Sequence, residues 1–372
     1  MTHSRILILT ASFGDGHNSA ARQLAEALDG SSEVKVADPC SLGSPRVNAF
    51  LNKAYREVIT YAPSLWKRIY DSTDQQDFSK RLFFLNNTEK AVGALLEQFR
   101  PDLVVSTYPI YPYQLERHFE NHPRVPIVTI VTDSMEVNAA WTRSPSDYFL
   151  VTDLSTKNAL IEKDIPGEKV VVSGFPVSPR FETIPKVEPD APTNPFRVLY
   201  FPTSRYPHVR KLMRAVLDLP GLNAEVTVVL GRNVRRLYKK TTELRDAYPG
   251  RVRLRGWTTQ VPELLCSHHL VVGKAGGATV HEAIAARCPM LVHHLVPGQE
   301  EGNIQLLEKL KIGALATKPE QITTALVELL ADNAKLWRQQ KRNLEVHSRP
   351  AASAEAAKFV MSLIRKSQES VS

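Results

Sequence analysis

The stretch Leu270-Val271-Val272-Gly273-Lys274-Ala275-Gly276-Gly277-Ala278-Thr279-Val280-His281-Glu282 decides how this 372-residue chain is read. Leu270–Gly273 is a short apolar run of the kind that forms a strand buried on both faces. A glycine pair follows, and Ala278–Ala286 reads as a helix that begins at once. A strand that enters a helix through a glycine-rich turn opens a βαβ unit. Its loop aims successive N–H groups and the positive end of the helix dipole at one point, which suits a phosphate. Lys274 and the Thr279 hydroxyl stand ready to add to that site. Glu282 is positioned to accept hydrogen bonds from the two hydroxyls of a ribose, although a carboxylate near a helix start is also favoured for structural reasons alone.

The same alternation runs outward in both directions. Strands are expected at Arg5–Thr10, Glu33–Ala37, Leu103–Ser106, Pro126–Val131, Tyr148–Val151 and Lys169–Val172, then at Arg197–Phe201, Ala224–Leu230, Arg251–Arg255, Leu270–Gly273 and Met290–His293. Helical patterns fall between them, beginning near Gly16 and Ser155, and a longer helical tract runs from Arg46 to Phe99. Strands alternating with helices predict an α/β protein with parallel sheets. The prolines 176, 179, 185, 189, 192 and 195 disallow both helix and central strand, so they mark a linker. The domain reading is therefore residues 1–175 with a helical insertion at 46–99, a linker at 176–195, a second domain at 196–350 and a terminal helix at 351–372. The section from Glu320 to about Arg365 reads as entirely helical. Two doubly wound domains joined in this way are expected to face one cleft, with ligands at the C-terminal ends of the strands.

Composition limits the function classes. The apolar fraction of 43% and charged fraction of 23% are those of a water-soluble globular protein. The formal net charge of +8 favours anionic partners such as nucleotide phosphates or an acidic membrane face. Three cysteines without a CxxC pair read as reduced thiols. The run Ile6–Leu9 is too short for a signal-peptide core, and no apolar stretch approaches the roughly 20 residues of a membrane span. A cytoplasmic protein is expected, with any membrane contact peripheral.

After the first expected strand comes Ser12-Phe13-Gly14-Asp15-Gly16-His17. Gly14 and Gly16 permit a tight turn, and His17 falls at a helix start, where the local positive potential keeps imidazole neutral as a general base requires. A tight turn with a polar cap is the plainer reading of the same residues. The full dinucleotide pattern GxGxxG is absent. Beyond the strand at 290–293, Gln299, Glu300 and Asn303 open another helix and offer polar groups for a hexose, or simply cap it. The tract from Arg46 to Phe99 interleaves aromatic and basic residues, among them Phe50, Tyr55, Tyr61, Trp66, Lys67, Arg68, Tyr70, Lys80, Arg81, Phe83 and Phe84. That mixture suits either a membrane interface or a helical insertion with a solvated basic face. The densest basic cluster, from Arg232 to Lys240, comes without any nucleic-acid-binding module, and nucleic acid is not expected as a partner.

These motifs together resemble monogalactosyldiacylglycerol synthases and bacterial processive diacylglycerol glucosyltransferases, of glycosyltransferase family 28. The likeness rests on the loop Ser12–His17, on Lys274–Thr279 with Glu282, and on Pro297-Gly298-Gln299-Glu300 through Asn303. Ser106-Thr107-Tyr108-Pro109, Val131-Thr132-Asp133, Trp141, Gly174-Phe175-Pro176 and Gly231-Arg232-Asn233 follow in the family's order. The resemblance implies the GT-B fold of two Rossmann-like domains and a metal-independent, inverting transfer from a UDP-sugar to a lipid such as diacylglycerol at an anionic membrane surface, with no cofactor. It implies that Glu282 holds the ribose, that Gly256, Trp257 and Thr258 border the uracil, and that Gly276, Gly277, Ala278 and Thr279 cradle the diphosphate with Lys274. Gly231 joins the donor site, and Gln299, Glu300 and Asn303 contact the sugar. His17 and Asp133 are implied on the acceptor side, with Gly14, Gly16, Tyr108 and Pro109 in the acceptor loops. His17 is the first candidate for the base and Asp133 the second, or Asp133 orients the acceptor or His17. One departure stands out: where the family carries a Gly-rich loop after the strand at 197–201, this chain has Pro202-Thr203-Ser204-Arg205. A UDP-sugar epimerase of the same fold and a non-catalytic sugar-nucleotide-binding protein are the competing readings.

Overall fold

The computed structural model of the chain describes residues 4–80, 82–202, 206–231 and 234–369. Thr203, Ser204 and Arg205 of the departing loop lie outside the described residues, as do Arg81, Arg232 and Asn233. The side chains of Phe84, Arg235, Arg236 and Lys240 are likewise outside the description.

Two compact units emerge. One comprises Met1–Pro179, Val296–Gly302 and Ala351–Ser372; the other comprises Arg180–Leu295 and Asn303–Pro350. The first holds β1 (Ser4–Leu9), β2 (Ser32–Ala37), β3 (Leu103–Ser106), β4 (Ile127–Ile130), β5 (Tyr148–Val151) and β6 (Val170–Val172), in the order β2-β1-β3-β4-β5-β6. The second holds β7 (Phe196–Tyr200), β8 (Ala224–Val229), β9 (Val252–Arg255), β10 (Leu270–Lys274), β11 (Met290–His294) and β12 (Gly313–Leu315), in the order β12-β11-β10-β7-β8-β9. Each pairing between neighbouring strands is parallel. Parallel strands are covered on both faces, which is why Ile6, Leu7, Ile8 and Leu9 are all fully buried. Every strand expected from sequence forms, within one residue at either end. The additional strand among the described residues is β12, whose Gly-Ala-Leu has no β-branched residue, unlike the equally short Val-Val-Val of β6.

In each sheet the strand order reverses beside the first strand of the unit, between β1 and β3 and between β7 and β10. Such reversals leave a crevice at the strand C-termini, where ligands of open α/β sheets bind. Residues 11–17 and 107–110 leave one reversal, and residues 274–277 leave the other.

The helical tract between β2 and β3 resolves into Pro45–Tyr61, Pro63–Thr73 and Asn86–Phe99. Pro45 and Pro63 each open a helix, the position where the missing N–H costs nothing. The terminal section is not continuously helical. Pro319–His347 and Ala352–Glu369 are separate helices, and residues 331–334 leave helical geometry inside the first of them. Asp332 and Asn333 there have φ of 51° and 57°, a region their short polar side chains tolerate. The last helix packs on Asp15–Leu28 of the first unit, and the Phe359 ring meets Tyr148 edge-on at 5.3 Å.

Residues 296–302 are held tightly within the first unit. A Cβ on Gly302 would collide with the Ser134 carbonyl oxygen and reach 3.0 Å from the Glu136 amide nitrogen. Gly302→Ala is therefore expected to cost about 1–3 kcal/mol, the usual penalty of forced overpacking. A thermal melt of the variant checks this, and an unchanged melting temperature would show that the close approach is not made.

Candidate functional site

In the first unit the chain leaves β1 through Gly14, whose φ of 99° only glycine adopts without strain, and enters the helix Asp15–Leu28. The preceding turn is pinned by Asp38, whose Oδ2 accepts from the Ser12 amide (3.1 Å) and hydroxyl (2.7 Å). This geometry puts His17 in the first helical turn with only 8% of its surface exposed. Its Nδ1 lies 3.0 Å from Thr132 Oγ1, and its ring meets Tyr108 edge-on at 5.2 Å and Trp141 at 6.0 Å. The next residue along, Asp133, accepts a 2.8 Å hydrogen bond at Oδ2 from the Trp141 indole N–H.

Burial acts oppositely on these two groups. Loss of hydration lowers the His17 imidazole to about 4, with a hydrogen bond to the Thr107 backbone pulling the other way. The same loss raises the Asp133 carboxyl to about 6, opposed by the hydrogen bond from Trp141. At neutral pH His17 is neutral and Asp133 is ionised.

His17 and Asp133 line a cavity of about 380 Å³. The size is that of a small-molecule pocket, and the wall is chiefly apolar. The helices Pro45–Tyr61 and Pro63–Thr73 supply Leu51, Ala54, Tyr55, Val58, Trp66, Ile69 and Tyr70. Tyr55 and Trp66 meet edge-on at 4.8 Å, and the Tyr55 hydroxyl donates to Gln299 Oε1 at 2.9 Å. Gly298, with φ of 80°, lets the backbone pass under Tyr70, where a Cβ would lie 2.8 Å from the ring. Lys67 pairs with Glu301 at 3.2 Å. Trp66, read from sequence as a candidate interface anchor, faces this cavity instead, because its ring is clasped between Tyr55 and Tyr70. Phe50, Tyr61, Leu65 and Phe83 do remain exposed, alongside the basic side chains of Arg46, Lys53, Arg68 and Lys80. Leu51 and Ile69 belong to both surfaces: each lines the cavity and is more than 40% exposed.

In the second unit β10 ends at Lys274, and Gly276 precedes the helix Gly277–Ala285 without a side-chain cap. The first helical hydrogen bond runs from the Val280 amide to Gly276 O (3.0 Å), so the Gly277, Ala278 and Thr279 amides point along the helix start. They form the kind of anion cradle that a helix N-terminus supplies. Glu282, half-buried, stands one turn further in. Gly231 (φ 56°) follows β8, while Gly256, Trp257 and Thr258 follow β9 with the Trp257 ring exposed. Thr258 Oγ1 accepts from the Gln260 amide at 3.0 Å.

The structure divides residues that the sequence groups together. Gln299 and Glu300 belong to the first unit and Asn303 to the second. Glu300 is 5% exposed and its Oε2 accepts the Val296 amide at 2.8 Å, closing its own turn. Asn303 donates through Nδ2 to Ala275 O at 2.8 Å, bracing the loop before Gly276. Gly14 and Gly16 flank His17 in the chain, and Tyr108 and Pro109 line the same cavity as His17. Tyr55, Tyr70, Trp66 and Thr132 join the first site without having been singled out for it. Their signal was aromatic density in one helical tract, which says nothing about direction. His293, buried at the end of β11 with Nε2 3.2 Å from Phe201 O, was also missed; a histidine pair ending an apolar strand was its only mark. Among the described residues no group of three or more His, Cys, Asp or Glu side chains is arranged to hold a metal ion. No helix of the described residues is long and apolar enough to cross a membrane.

Comparison with known proteins agrees with this architecture. Residues 17–177 match the family model of monogalactosyldiacylglycerol (MGDG) synthase. A processive diacylglycerol beta-glucosyltransferase of Bacillus cereus is 26% identical over 360 residues, covering 93% of this chain and 90% of that protein. The crystal structure of Acinetobacter baumannii MurG superposes with a TM-score of 0.63 at 14% identity, covering 96% of this chain and 99% of that one. The Anabaena HepE protein in complex with UDP-glucose gives a TM-score of 0.55 at 14% identity, covering 97% and 100%. The chain has the GT-B fold and is similar to the monogalactosyldiacylglycerol synthase and processive diacylglycerol glucosyltransferase family.

The electrostatics of the first site are testable without a substrate. By NMR the His17 ring is expected to titrate near 4, and a midpoint near 6.5 would contradict its burial. The stability tied to neutral His17 is present above its unfolded value and lost as pH falls from 6.5 toward 4. The stability tied to protonated Asp133 is present below 3.8 and lost as pH rises toward 6. Asp133→Asn should therefore gain on the wild type as pH rises from 4 to 6 in denaturant titrations, with a constant difference above that; a gap independent of pH would count against the shift.

Proposed function

With its first half similar to glycolipid-forming enzymes, we propose that this protein is an inverting glycosyltransferase that moves a hexose from a UDP-sugar to the free hydroxyl of a diacylglycerol-type lipid. One observation carries the reading. The apolar cavity holds an ionised carboxylate in its wall and reaches, through Leu51 and Ile69, a surface of exposed apolar and basic side chains. A lipid headgroup with its first acyl carbons fits that combination, whereas a soluble sugar acceptor calls for a polar wall.

The acceptor hydroxyl attacks the anomeric carbon from the side opposite UDP, and a base removes its proton as the bond forms. Base strength is best matched to the task near the working pH, so Asp133, near 6, is the better proton acceptor, and His17, near 4, is too weak a base. This reverses the preference drawn from sequence, because burial works against the imidazolium and against the carboxylate alike. Neutral His17 orients the hydroxyl. The Gly277, Ala278 and Thr279 amides, with Lys274, stabilise the departing diphosphate in place of a metal ion. Glu282 holds the ribose and Gly231, Gly256, Trp257 and Thr258 border the nucleoside. Gln299 contacts the sugar, Glu300 holds the turn that carries Gln299, and Asn303 acts through the loop at Ala275. The protein works at the inner face of the cell membrane, drawn there by its basic and exposed aromatic side chains.

Incubation with a panel of UDP-sugars and diacylglycerol vesicles, followed by mass analysis of the lipids, tests the activity; UDP binding with no glycosylated lipid from any donor would overturn it. The base is identified by the pH profile. The acid limb of kcat/KM should fall near 6 and Asp133→Asn should lower turnover by about 10²–10⁴-fold, whereas a limb near 4 would return the role to His17. Vesicle binding should rise with anionic lipid and weaken in high salt, with each basic residue near the surface contributing about 1 kcal/mol. Replacing exposed Phe50 and Phe83 by Ser should remove the salt-resistant part of that binding. Failure to sediment with vesicles of any composition would exclude the membrane surface as a partner.

A further inference from the structure

Two tryptophans, Trp66 and Trp141, line the cavity of the first unit, and each carries one indole N–H. That of Trp141 is spent on Asp133 at 2.8 Å. That of Trp66 is fully buried and has no hydrogen-bond partner among the described residues. An indole nitrogen donates and does not accept, so its partner must bring an acceptor. The Tyr55 hydroxyl donates to Gln299 Oε1, and neither it nor another described acceptor takes the Trp66 indole hydrogen. The ring has little freedom to turn elsewhere, being held edge-on to Tyr55 at 4.8 Å and 6.5 Å from Tyr70. Tyr70 and Asp133 line the same cavity as Trp66, so the orphan donor and the carboxylate belong to one site.

We propose that the Trp66 indole N–H is a specificity element for the acceptor, donating to the carbonyl oxygen of the acyl ester next to the reacting hydroxyl. The inference rests on the lipid-glycosylating reading above. In a diacylglycerol the acceptors nearest the free hydroxyl are ester carbonyls, set between a polar end and apolar chains, and the cavity that Trp66 lines likewise combines Asp133 with aliphatic side chains. An ether-linked glycerolipid keeps the chains and the hydroxyl but replaces that carbonyl by a methylene. Bound in the same pose, it leaves a buried donor unpaired. A site built to make a hydrogen bond rejects the analogue that lacks the partner more strongly than an apolar pocket rejects a change of shape.

The test compares kcat/KM for a 1,2-diacylglycerol and the 1,2-dialkylglycerol of equal chain length, in the same vesicles and with the same UDP-sugar. The wild type is expected to favour the ester by about five- to tenfold, the worth of one hydrogen bond whose loss leaves a buried group unpaired. In Trp66→Phe the ratio should fall to about one, chiefly through a slower ester reaction. A wild-type ratio of one, or a preference that survives in Trp66→Phe, overturns the proposal. Should Trp66→Phe prove unfolded by thermal melt, the wild-type ratio alone still decides. Equal use of the two lipids removes the role of Trp66 and leaves the lipid transferase reading standing. If neither lipid is glycosylated, that reading fails and this one falls with it.

Discussion

A parallel sheet has to be covered on both faces, and each strand must return to the same end before the next begins. Everything that distinguishes this protein follows from that constraint, met twice in one chain. It makes the strands continuous apolar runs, as in Ile6–Leu9. It forces the return path onto helices, and it delivers the loops after the strands to one edge of each sheet. Where the strand order reverses, beside β1 and beside β7, two such loops part and a crevice is left between them. His17 and Tyr108 stand at the first reversal and the Gly276 turn at the second, because those are the places where a covered sheet leaves backbone free to meet a ligand.

Within the first unit, burial then does chemical work. Removing water disfavours whichever form is charged, so one environment yields a neutral imidazole and a carboxylate that clings to its proton until near pH 6. Under the proposed transfer, this favours Asp133 over His17 as the base. A helix-start histidine looks like a proton acceptor in sequence, but this one is wrapped by Tyr108, Trp141 and Thr132 and loses most of its basicity. The aspartate beside it gains basicity from the same enclosure, and a single indole hydrogen bond does not offset the gain.

The segment 296–302 shows how chain order and spatial order part company. Gln299, Glu300 and Asn303 look like one polar cluster opening a helix. In space Gln299 faces the first unit's cavity under Tyr55, Glu300 turns back on Val296, and Asn303 braces Ala275 in the other unit. Two glycines make the first of these possible. Gly298 clears the Tyr70 ring and Gly302 clears the Ser134 carbonyl, approaches that any larger residue would block. Their need for space is a property of the neighbours, which lie well over a hundred residues away in the chain.

Local chemistry decided a great deal without coordinates. The strands β1 to β11, the glycine turns after β1 and β10, and proline at the head of two helices are all consequences of near-neighbour sterics and of a two- or three-residue apolar period. Such features are legible because their causes sit within a few residues of one another. β12 and the break at 331–334 escaped, since Gly-Ala-Leu has no β-branched residue and Ala-Asp-Asn-Ala has neither glycine nor proline. What only the tertiary structure decided is direction and enclosure: that Trp66 turns into a cavity while Phe50 and Phe83 stay outside, that Asp133 is shielded enough to titrate near 6, and that His293 reaches from β11 to Phe201. Each depends on which distant side chains exclude water from a group. Hydration is set by everything packed around an atom, and the order of residues along the chain does not contain it.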